Sequence, residues 1–417
     1  FGRTMKSLRC AQAGAGTLRA LAGTMRRGSM ATGALALAAA CSSPDTHCEV
    51  KQVVTPSSSR EPGTLQYGVL HSRGQFGPSL WNSVAARSDG RVACVTCSGI
   101  VAFDAMLRET GRVDGAFGIF ASAPDDTVYA LASGAIIRMA DLDHLSAASV
   151  QQWPAPVEPT ITSVIVAGAE GPYTGMRIDS MFGTSASDPA VRGFDAMTGQ
   201  PRTVASGQFL LAAEPGGGVL TAEGQRTQTA TLRRLDPSGM VVWSRTLSSN
   251  EGLTIYGAAV AADGGVSVFG QSGSAVDFGD HTLSSSGWFV AGFDASGATQ
   301  WAFPYAVPAV GTSPNFITHI AQTADGALVI AGQEGVLGGI PPNVDSTLSV
   351  ATPAGISRTL RVSGSGHQTI DGLAAAPDGA MWVYVSSFVD DDVPDPVLYI
   401  GDHIFTDPGG YLFKLVP

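Results

Sequence analysis

The sharpest local feature of the sequence is a pair of cysteines, Cys94 and Cys97, in the stretch CVTC. Two cysteines at this spacing can hold a metal ion, exchange disulfides or attach haem. Haem attachment requires a histidine at the next position, where Ser98 stands, and the sequence has no second ligand pair spaced for zinc. The motif falls in a predicted strand, in which residues three apart point to opposite faces. We therefore expect a structural disulfide, within the motif at a bulge or between Cys48 and one of the pair. Redox or metal chemistry is the alternative.

A second candidate is the acidic run of Asp390, Asp391 and Asp392, with Asp395 nearby. Ca²⁺ binds several carboxylate and carbonyl oxygens, so this run is a candidate calcium site. The glycine and the terminal glutamate of an EF-hand loop are absent from it, and an acidic loop between two strands is commonly only solvated. Calcium is thus the one cofactor that the sequence suggests, and otherwise we expect none.

The remaining polar residues form no catalytic signature. The seven histidines are scattered, and two of them, His281 and His403, follow Gly-Asp at equivalent places in FGDHTL and IGDHIF. That equivalence indicates repeated turn chemistry. The sequence contains no Gly-x-Ser-x-Gly elbow, no His-Glu-x-x-His and no phosphate-binding loop. We therefore assign no catalytic residue.

The composition is typical of an all-β protein with many tight turns. Of 417 residues, 52 are glycine and only 14% are charged. Glycine supplies the positive φ that such turns require. The formal net charge is −11, although the first 40 residues hold six basic and no acidic side chains. Because an acidic body repels phosphate backbones, we expect no nucleic-acid partner.

The N-terminal region has the layout of a secretory signal. From Met25 onward, two arginines precede an apolar run over residues 31–40, which is shorter than the roughly 20 residues of a membrane-spanning helix. We interpret residues 1–40 as the signal region, with the start at Met25 or at another methionine. Cys41 follows LAAA, an arrangement that resembles the lipobox of bacterial lipoproteins. The resemblance implies that Cys41 is lipidated and becomes the mature N-terminus. The alternative is a plain cleavable signal.

Residues 41–64 separate this signal from the strand-rich body. They are rich in serine, proline and threonine, which is typical of a flexible tether that holds a domain off the membrane. In the best-studied Gram-negative lipoproteins, serine after the lipidated cysteine implies sorting to the outer membrane, and Ser42 stands at that position here. We therefore expect a cell-envelope protein, anchored in the outer membrane through its lipid or else secreted.

Short predicted strands recur through residues 65–417, and the stretch from Tyr256 to Trp301 holds one complete copy of the repeat. An Asp263-Gly264 turn leads into four short runs separated by glycine, aspartate and serine turns, which is the signature of β-strands. Comparable turns recur at intervals of about 36–62 residues, near the roughly 40–50 residues of a four-stranded propeller blade. They begin at positions 89, 125, 170, 215, 263, 325 and 378.

A second marker accompanies the better copies. It is an apolar strand that ends in Asp-x-x-Gly or Asp-x-x-x-Gly, and in two copies Trp243 or Trp301 follows. We expect these tryptophans to pack between blades. The final strand, GYLFKL, lacks a successor, whereas an extra strand over residues 65–70 precedes the first turn. We predict an all-β β-propeller of seven four-stranded blades, closed by that N-terminal strand. A count of six or eight blades remains an alternative, because the repeats between residues 89 and 215 are degenerate.

The string SGSAVDFGDHTLSSSGWFVAGFDASGATQWAF resembles the SBBP-type β-propeller repeats of bacterial secreted proteins and lipoproteins, common in myxobacteria. The resemblance is strong over residues 250–301 and fair over 205–247 and 366–417, and it implies a surface or periplasmic propeller. We therefore expect a monomeric binding or scaffolding module with a protein or glycan partner at a propeller face. Two alternatives stay open. One is a quinoprotein-like or glycan-acting enzyme, since FDAMTGQ is similar to part of the quinoprotein repeat, and the other is an outer-membrane assembly factor.

Overall fold

A computed structural model describes most of the strand-rich body of the protein. All regular elements within the described residues are β-strands. No helix with the length and apolar character needed to cross a membrane occurs among them. The described residues are 50–54, 59–62, 65–72, 84–96, 99–114, 118–132, 135–154, 163–177, 189–224, 226–305, 316–323, 326–335, 344–365, 367–388, 397–406 and 409–417.

The described chain begins with two antiparallel strands, β1 (Val50–Val54) and β2 (Leu65–Ser72). Strand β1 lies inside the segment 41–64, whose composition predicts a flexible tether. Three of its five residues are valine, and a branched side chain favours extended backbone. Farther along this segment, the Arg60 guanidinium donates a hydrogen bond of 2.7 Å to the backbone carbonyl of Asp378. The predicted tether therefore contributes a strand and a contact to the folded body.

Within the described residues, three antiparallel sheets of four strands follow. Each sheet pairs consecutive strands in chain order. The first contains β3 (Val84–Ala86), β4 (Val92–Val95), β5 (Gly99–Phe103) and β6 (Glu109–Asp114). The second contains β7 (Ile119–Ser122), β8 (Val128–Ala132), β9 (Ala135–Met139) and β10 (Gln151–Pro154). The third contains β11 (Ser163–Gly168), β12 (Gly171–Met176), β13 (Ala190–Phe194) and β14 (Pro201–Ser206).

Burial separates the middle strands of these sheets from the fourth strands. Strand β5, with the sequence GIVAF, is buried along its whole length, and so is β8, with the sequence VYALA. In contrast, β14 reads PRTVAS and is mostly exposed. A strand that is apolar throughout can be buried on both faces, whereas a polar one faces solvent. The fourth strands therefore form the outer edges of these sheets.

The fourth sheet has nine strands among the described residues, because one long strand belongs to two successive repeats. Its strands are β15 (Phe209–Ala213), β16 (Val219–Glu223), β17 (Thr227–Leu235), β18 (Val241–Val260), β19 (Val266–Ser272), β20 (Val276–Asp277), β21 (Thr282–Leu283), β22 (Gly287–Phe293) and β23 (Thr299–Pro304). The first half of β18 pairs with β17 and the second half with β19. The sequence predicts only short strands in this region, so the continuous 20-residue strand differs from the expectation.

The last sheet has eleven strands among the described residues, including β1 and β2. The others are β24 (Phe316–Gln322), β25 (Leu328–Gly335), β26 (Val344–Thr352), β27 (Gly355–Gly364), β28 (His367–Ala375), β29 (Met381–Phe388), β30 (Leu398–Ile400), β31 (His403–Phe405) and β32 (Gly409–Leu415). One antiparallel group runs from β24 to β27, and a second has the order β28-β29-β32-β2-β1. A single parallel pair, Val344 with His367, joins the two groups. The predicted N-terminal strand does pair with the last strand, with Leu65 opposite Leu415.

Two small hairpins add to the outer edges of the preceding repeats. Strands β20 and β21 form a hairpin that pairs with β18 at Ser248, and strands β30 and β31 form one that pairs with β27 at Val362. Gly-Asp forms the two-residue loop between β30 and β31 and the middle of the four-residue connection between β20 and β21. The glycine has a positive φ in both turns, which favours glycine at this position. His281 and His403 therefore lie at equivalent turns. The hairpins supply partners to edges whose backbone groups would otherwise lack them.

The first strands of successive repeats contact one another. Strand β3 contacts β7, β7 contacts β11, β11 contacts β15, and β15 contacts β18. The series continues from β18 to β24 and from β24 to β28, and β28 contacts β3. These first strands therefore form an inner layer, opposite the fourth strands.

Tryptophans on fourth strands pack against the next repeat, as predicted for Trp243. The ring of Trp243 lies 2.8 Å from where a Cβ atom of Gly297 would stand, and the ring of Trp153 lies 2.3 Å from the corresponding point on Gly199. Both glycines close an Asp-x-x-Gly or Asp-x-x-x-Gly turn. Trp301 packs against a cluster that includes residues of β24 and β25. Trp153 could not be predicted in the same way, because no Asp-x-x-Gly or Asp-x-x-x-Gly turn precedes it in its own repeat.

Candidate binding cavity

The inner strands line a cavity of about 250 Å³. Its wall comes from the first strands of five successive repeats, β7, β11, β15, β18 and β24, with Phe269 of β19 and Arg177 just after β12. Most of this wall is aliphatic or aromatic, and Ile165, Leu210 and Tyr256 are examples. Because these residues are distant in sequence, the cavity exists only once the repeats have assembled.

Three of the five strands carry a β-bulge where they line the cavity. The extra residue is Leu211 in β15, Tyr256 in β18 and Thr318 in β24. A bulge takes one residue out of the regular ladder and re-aims its neighbours, and bulges are frequent beside functional sites. In β24 the residue after the bulge is His319, which lines the cavity.

Two side chains that can carry positive charge, Arg177 and His319, line the cavity. His319 is only 7% exposed. Burial, and to a lesser degree the positive charge of Arg177, lower the pKa of His319 to about 3. The imidazole is therefore neutral at physiological pH. None of the described lining residues is acidic, so Arg177 supplies the formal charge of the described wall.

This arrangement suits binding better than acid–base catalysis. A general acid or base is most effective when its pKa lies near the working pH, and the pKa of His319 lies far below it. The described wall contains no carboxylate and no cysteine. Most of the lining residues are apolar, but more of the surface that faces the cavity is polar than apolar. A concave site that combines apolar side chains with a few polar groups is typical of a small-molecule binding site.

A second group of buried polar residues lies where β28 and β29 pack against the sheet of β3–β6. Asp371, at a bulge in β28, is 5% exposed and accepts a hydrogen bond from the Ser386 hydroxyl. Burial raises the pKa of Asp371 to about 7, although hydrogen bonds from Ser386 and Thr369 oppose the rise. Burial also raises the pKa of Tyr384, and the nearby Cys94 and Asp371 raise it further. Asp371 is therefore a buried acid that titrates near neutral pH.

Cys94 lies in β4 and is fully buried. Burial, with a smaller contribution from Glu109, raises the pKa of its thiol well above the usual range. Metal binding and disulfide exchange both use the thiolate, whereas burial favours the protonated thiol of Cys94. Cys48 and Cys97, the other members of the predicted disulfide, lie outside the described residues. The disulfide stays a prediction.

The other predicted site residues also lie outside the described part of the chain. They are Cys41, the predicted lipidation site, and Asp390, Asp391 and Asp392, the candidate calcium ligands. Within the described ranges, no group of three or more histidine, cysteine, aspartate or glutamate side chains is placed to hold a metal ion. Lipidation and calcium binding therefore stay predictions.

The residues of the cavity were not identified from the sequence, although a partial signal is present. The segments TIYGAAVAADG, FITHIAQTADG and TIDGLAAAPDG align Tyr256, Thr318 and Asp371, each between an isoleucine and a following Asp-Gly turn. This aligned position is the bulge in all three repeats. No such signal marks Arg177, whose place in the wall depends on the assembly of the sheets.

The strand order and the inner layer define an all-β, propeller-like repeat protein built of four-stranded antiparallel sheets. No protein-family model matches the chain, and no curated protein matches its sequence. We therefore base the fold class on the strand pairing itself.

Among solved structures, the chain is similar to one from the mitotic checkpoint complex, with 10% identity over 89% of this chain and 99% of that one, at a TM-score of 0.48. It is similar to the Nup133 β-propeller domain of Vanderwaltozyma polyspora, with 8% identity over 88% of this chain and 99% of that one, at a TM-score of 0.39. It is also similar to the GH74 xyloglucanase of Xanthomonas campestris, with 12% identity over 76% of this chain and 53% of that one, at a TM-score of 0.46.

Proposed function

We propose that the protein is an exported, lipid-anchored β-propeller that acts as a binding or scaffolding module in the cell envelope, with repeats of the SBBP type. In this proposal Cys41 carries the lipid and holds a monomeric body at the outer membrane. The observation that carries the binding role is the cavity of about 250 Å³ lined by the inner strands.

The proposed propeller has seven blades, and three observations support that number. The described strands fall into seven groups of four: three separate sheets, two groups that share β18, and two groups in the last sheet. The first strands of these groups contact one another in a series that returns from β28 to β3. Strand β2 supplies the fourth strand of the last group by pairing with β32. A closed series of this kind leaves no sheet at an open end.

The binding role is favoured over an enzymatic one by the chemistry of the cavity wall. Its described residues include one guanidinium, one neutral imidazole and several hydroxyl groups among mostly aliphatic and aromatic side chains. Such a wall can hold and orient a ligand, but it presents no acid–base pair with pKa values near neutrality. These groups can therefore recognise a ligand, which requires no proton transfer.

Metabolic labelling with a fatty-acid analogue tests the anchor. We expect label on the parent protein in the membrane fraction and none on the Cys41→Ala variant. A Cys10→Ala variant is the matched control and should label like the parent, because Cys10 lies upstream of the proposed cleavage point. A parent protein that takes up no label contradicts lipid anchoring.

Affinity capture from envelope extracts tests the binding role. Ala258 lines the cavity, and a tryptophan at this position would occupy much of its volume. We expect the parent protein to retain a partner that the Ala258→Trp variant loses. The control variant Ala354→Trp, in an exposed turn, should retain it. If the parent retains nothing, or if Ala258→Trp retains the same partner as fully, the cavity is not the binding site.

A further inference from the structure

We propose that the hairpin β30–β31 contacts a lipid bilayer, and that its side chains Tyr399 and Ile404 enter the boundary between the headgroups and the acyl chains. This inference rests on the proposed lipid anchor at Cys41 and adds the surface of the body that faces the membrane. It follows from the exposed face of the hairpin, from the equivalent hairpin in another repeat, and from the place at which the N-terminal strand joins the body.

The two faces of this hairpin differ in burial. Leu398, Ile400 and Phe405 are buried and belong to the apolar cluster of the last sheet. Tyr399 of β30 lies opposite Ile404 of β31, and because successive residues of a strand point to opposite faces, both project away from that cluster. Their side chains are 41% and 62% exposed. The hairpin therefore presents an apolar pair on the surface of the body.

The equivalent hairpin β20–β21 shows that folding does not require this apolar pair. The alignment of FGDHTL with IGDHIF places Asp277 and Thr282 at the positions of Tyr399 and Ile404. Asp277 likewise lies opposite Thr282, and both are exposed. The same turn on the same edge therefore carries a polar pair in one repeat and an apolar pair in the other. The apolar pair points to a contact outside the body.

The N-terminal strand joins the body near this hairpin. Val50, the first residue of β1, lies opposite His71 of β2, which lies opposite Gly410 of β32. Neighbouring strands are about 4.8 Å apart, so Val50 is roughly 10 Å from Gly410. Only residues 406–409 separate Gly410 from Phe405, the last residue of the hairpin. The chain that comes from the proposed anchor therefore enters the body beside β30–β31.

Side-chain packing also brings the two elements together. Cγ2 of Val54 in β1 lies 2.7 Å, and the Phe413 ring of β32 lies 2.8 Å, from the point where a Cβ atom of Gly68 would stand. The centroid of the Phe405 ring lies 5.2 Å from that of Phe413. The Phe413 ring is therefore close to both β1 and the hairpin.

The length of chain between the anchor and β1 limits which surface can reach the bilayer. Cys41 precedes Val50 by nine residues, which span at most about 32 Å when fully extended. A globular domain of the length of residues 49–417 has a radius of gyration of about 21 Å, so its width exceeds this reach. A lipid on Cys41 therefore brings the side that carries β1 and the hairpin to the membrane.

The chemistry of the exposed pair fits a lipid surface. A tyrosine has an apolar ring and a polar hydroxyl group, and tyrosines are enriched where a membrane meets water. Ile404 supplies an apolar side chain for the acyl region. The adjoining turn carries the exposed Asp402, and the net charge of the chain is −11. Because these negative charges are repelled by anionic lipids, a zwitterionic surface is the expected partner.

Tryptophan fluorescence of the lipidated protein tests this inference. The full chain, purified from the membrane fraction, is reconstituted into phosphatidylcholine vesicles with and without brominated acyl chains, which quench a tryptophan that contacts them. We expect Ile404→Trp to add emission at a shorter wavelength than that of the parent, and brominated vesicles to remove this added emission. The matched control is Thr282→Trp, at the equivalent position of β20–β21, whose added emission should stay unquenched.

A second variant tests the native side chains. Tyr399→Asp/Ile404→Thr gives the hairpin the polar pair of β20–β21, so it should fold, and thermal unfolding checks this. In vesicles we expect the backbone amides of residues 398–405 to exchange with deuterium faster in this variant than in the parent, because the polar pair leaves the bilayer. Without vesicles the two proteins should exchange alike. If Ile404→Trp does not fold, Tyr399→Trp replaces it in the fluorescence measurement.

The outcomes separate this inference from the proposed anchor. If the parent carries the fatty-acid label and floats with vesicles, but brominated lipid quenches Ile404→Trp no more than Thr282→Trp, the anchor stands and the hairpin contact is overturned. Emission of Ile404→Trp at a shorter wavelength without quenching also overturns it, because protein and not lipid then covers the hairpin. A parent that neither carries the label nor floats removes the anchor and this inference together.

Discussion

Leu65 of strand β2 pairs with Leu415 of strand β32, so a strand near the start of the described chain completes the sheet formed by its last strands. Both leucines are buried, and they belong to one apolar cluster. Strand β1 then covers β2 on its far side. The N-terminal strands therefore contribute to the stability of the last repeat, although β1 lies inside the predicted tether and β2 directly follows it.

Deletion of residues 1–72 should destabilise the body, because it removes β1 and β2 and exposes the edge of β32. We expect a lower melting temperature and concentration-dependent association, since an unpaired edge strand recruits another chain. Thermal unfolding and size-exclusion chromatography measure both effects. Deletion of residues 1–48 is the control and should leave the melting temperature within a few degrees of the parent. An equal melting temperature for the two deletions would contradict the role of β2.

Stability should fall as the pH rises from about 4 to 7 because of Asp371. Its pKa is about 7 in the folded state and 3.8 in the absence of burial. Between these values the unfolded chain has lost the proton that the folded protein retains, so raising the pH favours unfolding. Below pH 4 both states are protonated, and above pH 7 both are ionised. Between these two limits the free energy of unfolding therefore falls by about 4 kcal/mol.

The variant Asp371→Asn checks this prediction, because it cannot ionise. We expect it to lose this part of the pH dependence and to exceed the parent in stability at pH 8, measured by urea unfolding from pH 4 to 8. Asp402→Asn removes an exposed carboxyl from a hairpin turn and should keep the pH profile of the parent. If the free energy of unfolding of Asp371→Asn falls between pH 4 and 7 as steeply as that of the parent, the buried carboxyl does not cause the pH dependence.

Arg234 connects neighbouring repeats and should be costly to remove. Its guanidinium donates hydrogen bonds of 2.8 Å to Oε2 of Glu214 and of 2.9 Å to the carbonyl oxygen of Ala295, which belongs to the following repeat. The side chains of Arg234 and Glu214 are only 16% and 9% exposed. Removing one partner of a buried ion pair leaves an uncompensated charge and costs about 3–5 kcal/mol.

We therefore expect Arg234→Met to lower the free energy of unfolding by about that amount. The double variant Arg234→Met/Glu214→Gln should recover part of the loss, because it removes the unpaired carboxylate as well. Arg108→Met serves as the exposed control, with an expected change below about 1 kcal/mol. Chemical unfolding of the parent, Arg234→Met, Glu214→Gln and the double variant gives the coupling energy between the two side chains. If Arg234→Met is no less stable than the exposed control Arg108→Met, Arg234 does not join the repeats.

Two glycine-to-alanine variants should change stability in opposite directions. Gly292 in β22 lies opposite Trp301 in β23, and a Cβ atom added there would stand 2.2 Å from the Trp301 ring. The ring or the strand must shift, which typically costs about 1–3 kcal/mol. Gly216 has nothing within 4 Å of an added Cβ and does not need a positive φ. Gly216→Ala should therefore raise stability by about 0.4–1 kcal/mol, because it restricts the unfolded chain.

Thermal unfolding of Gly292→Ala and Gly216→Ala measures the difference. The pair is matched in chemistry, so a shared effect of adding a methyl group cancels. If both variants shift the melting temperature in the same direction and by a similar amount, the position of the Trp301 ring does not depend on the absence of a side chain at residue 292.

The sequence by itself determined the β-strand repeat and its turn chemistry, because both depend on neighbours along the chain. The Asp294 carboxylate accepts hydrogen bonds from the backbone N–H groups of Ser296, within the Asp-x-x-Gly motif, and of Ala298, the residue that follows it. The alternation of apolar residues likewise predicts strands from local spacing. The all-β class, the four-stranded antiparallel sheets and the packing of Trp243 against the next repeat were therefore predictable.

Only the tertiary structure decided how the repeats join and what lies between them. The continuous strand β18, the hairpins on the outer edges and the place of Gly292 beneath Trp301 depend on register between strands, which the composition of one strand does not determine. Arg177 meets His319 in one cavity, and Asp371 is buried enough to retain its proton, because distant segments exclude water from the same places. Desolvation is a property of the assembled sheets, so these sites appear only after the chain has folded.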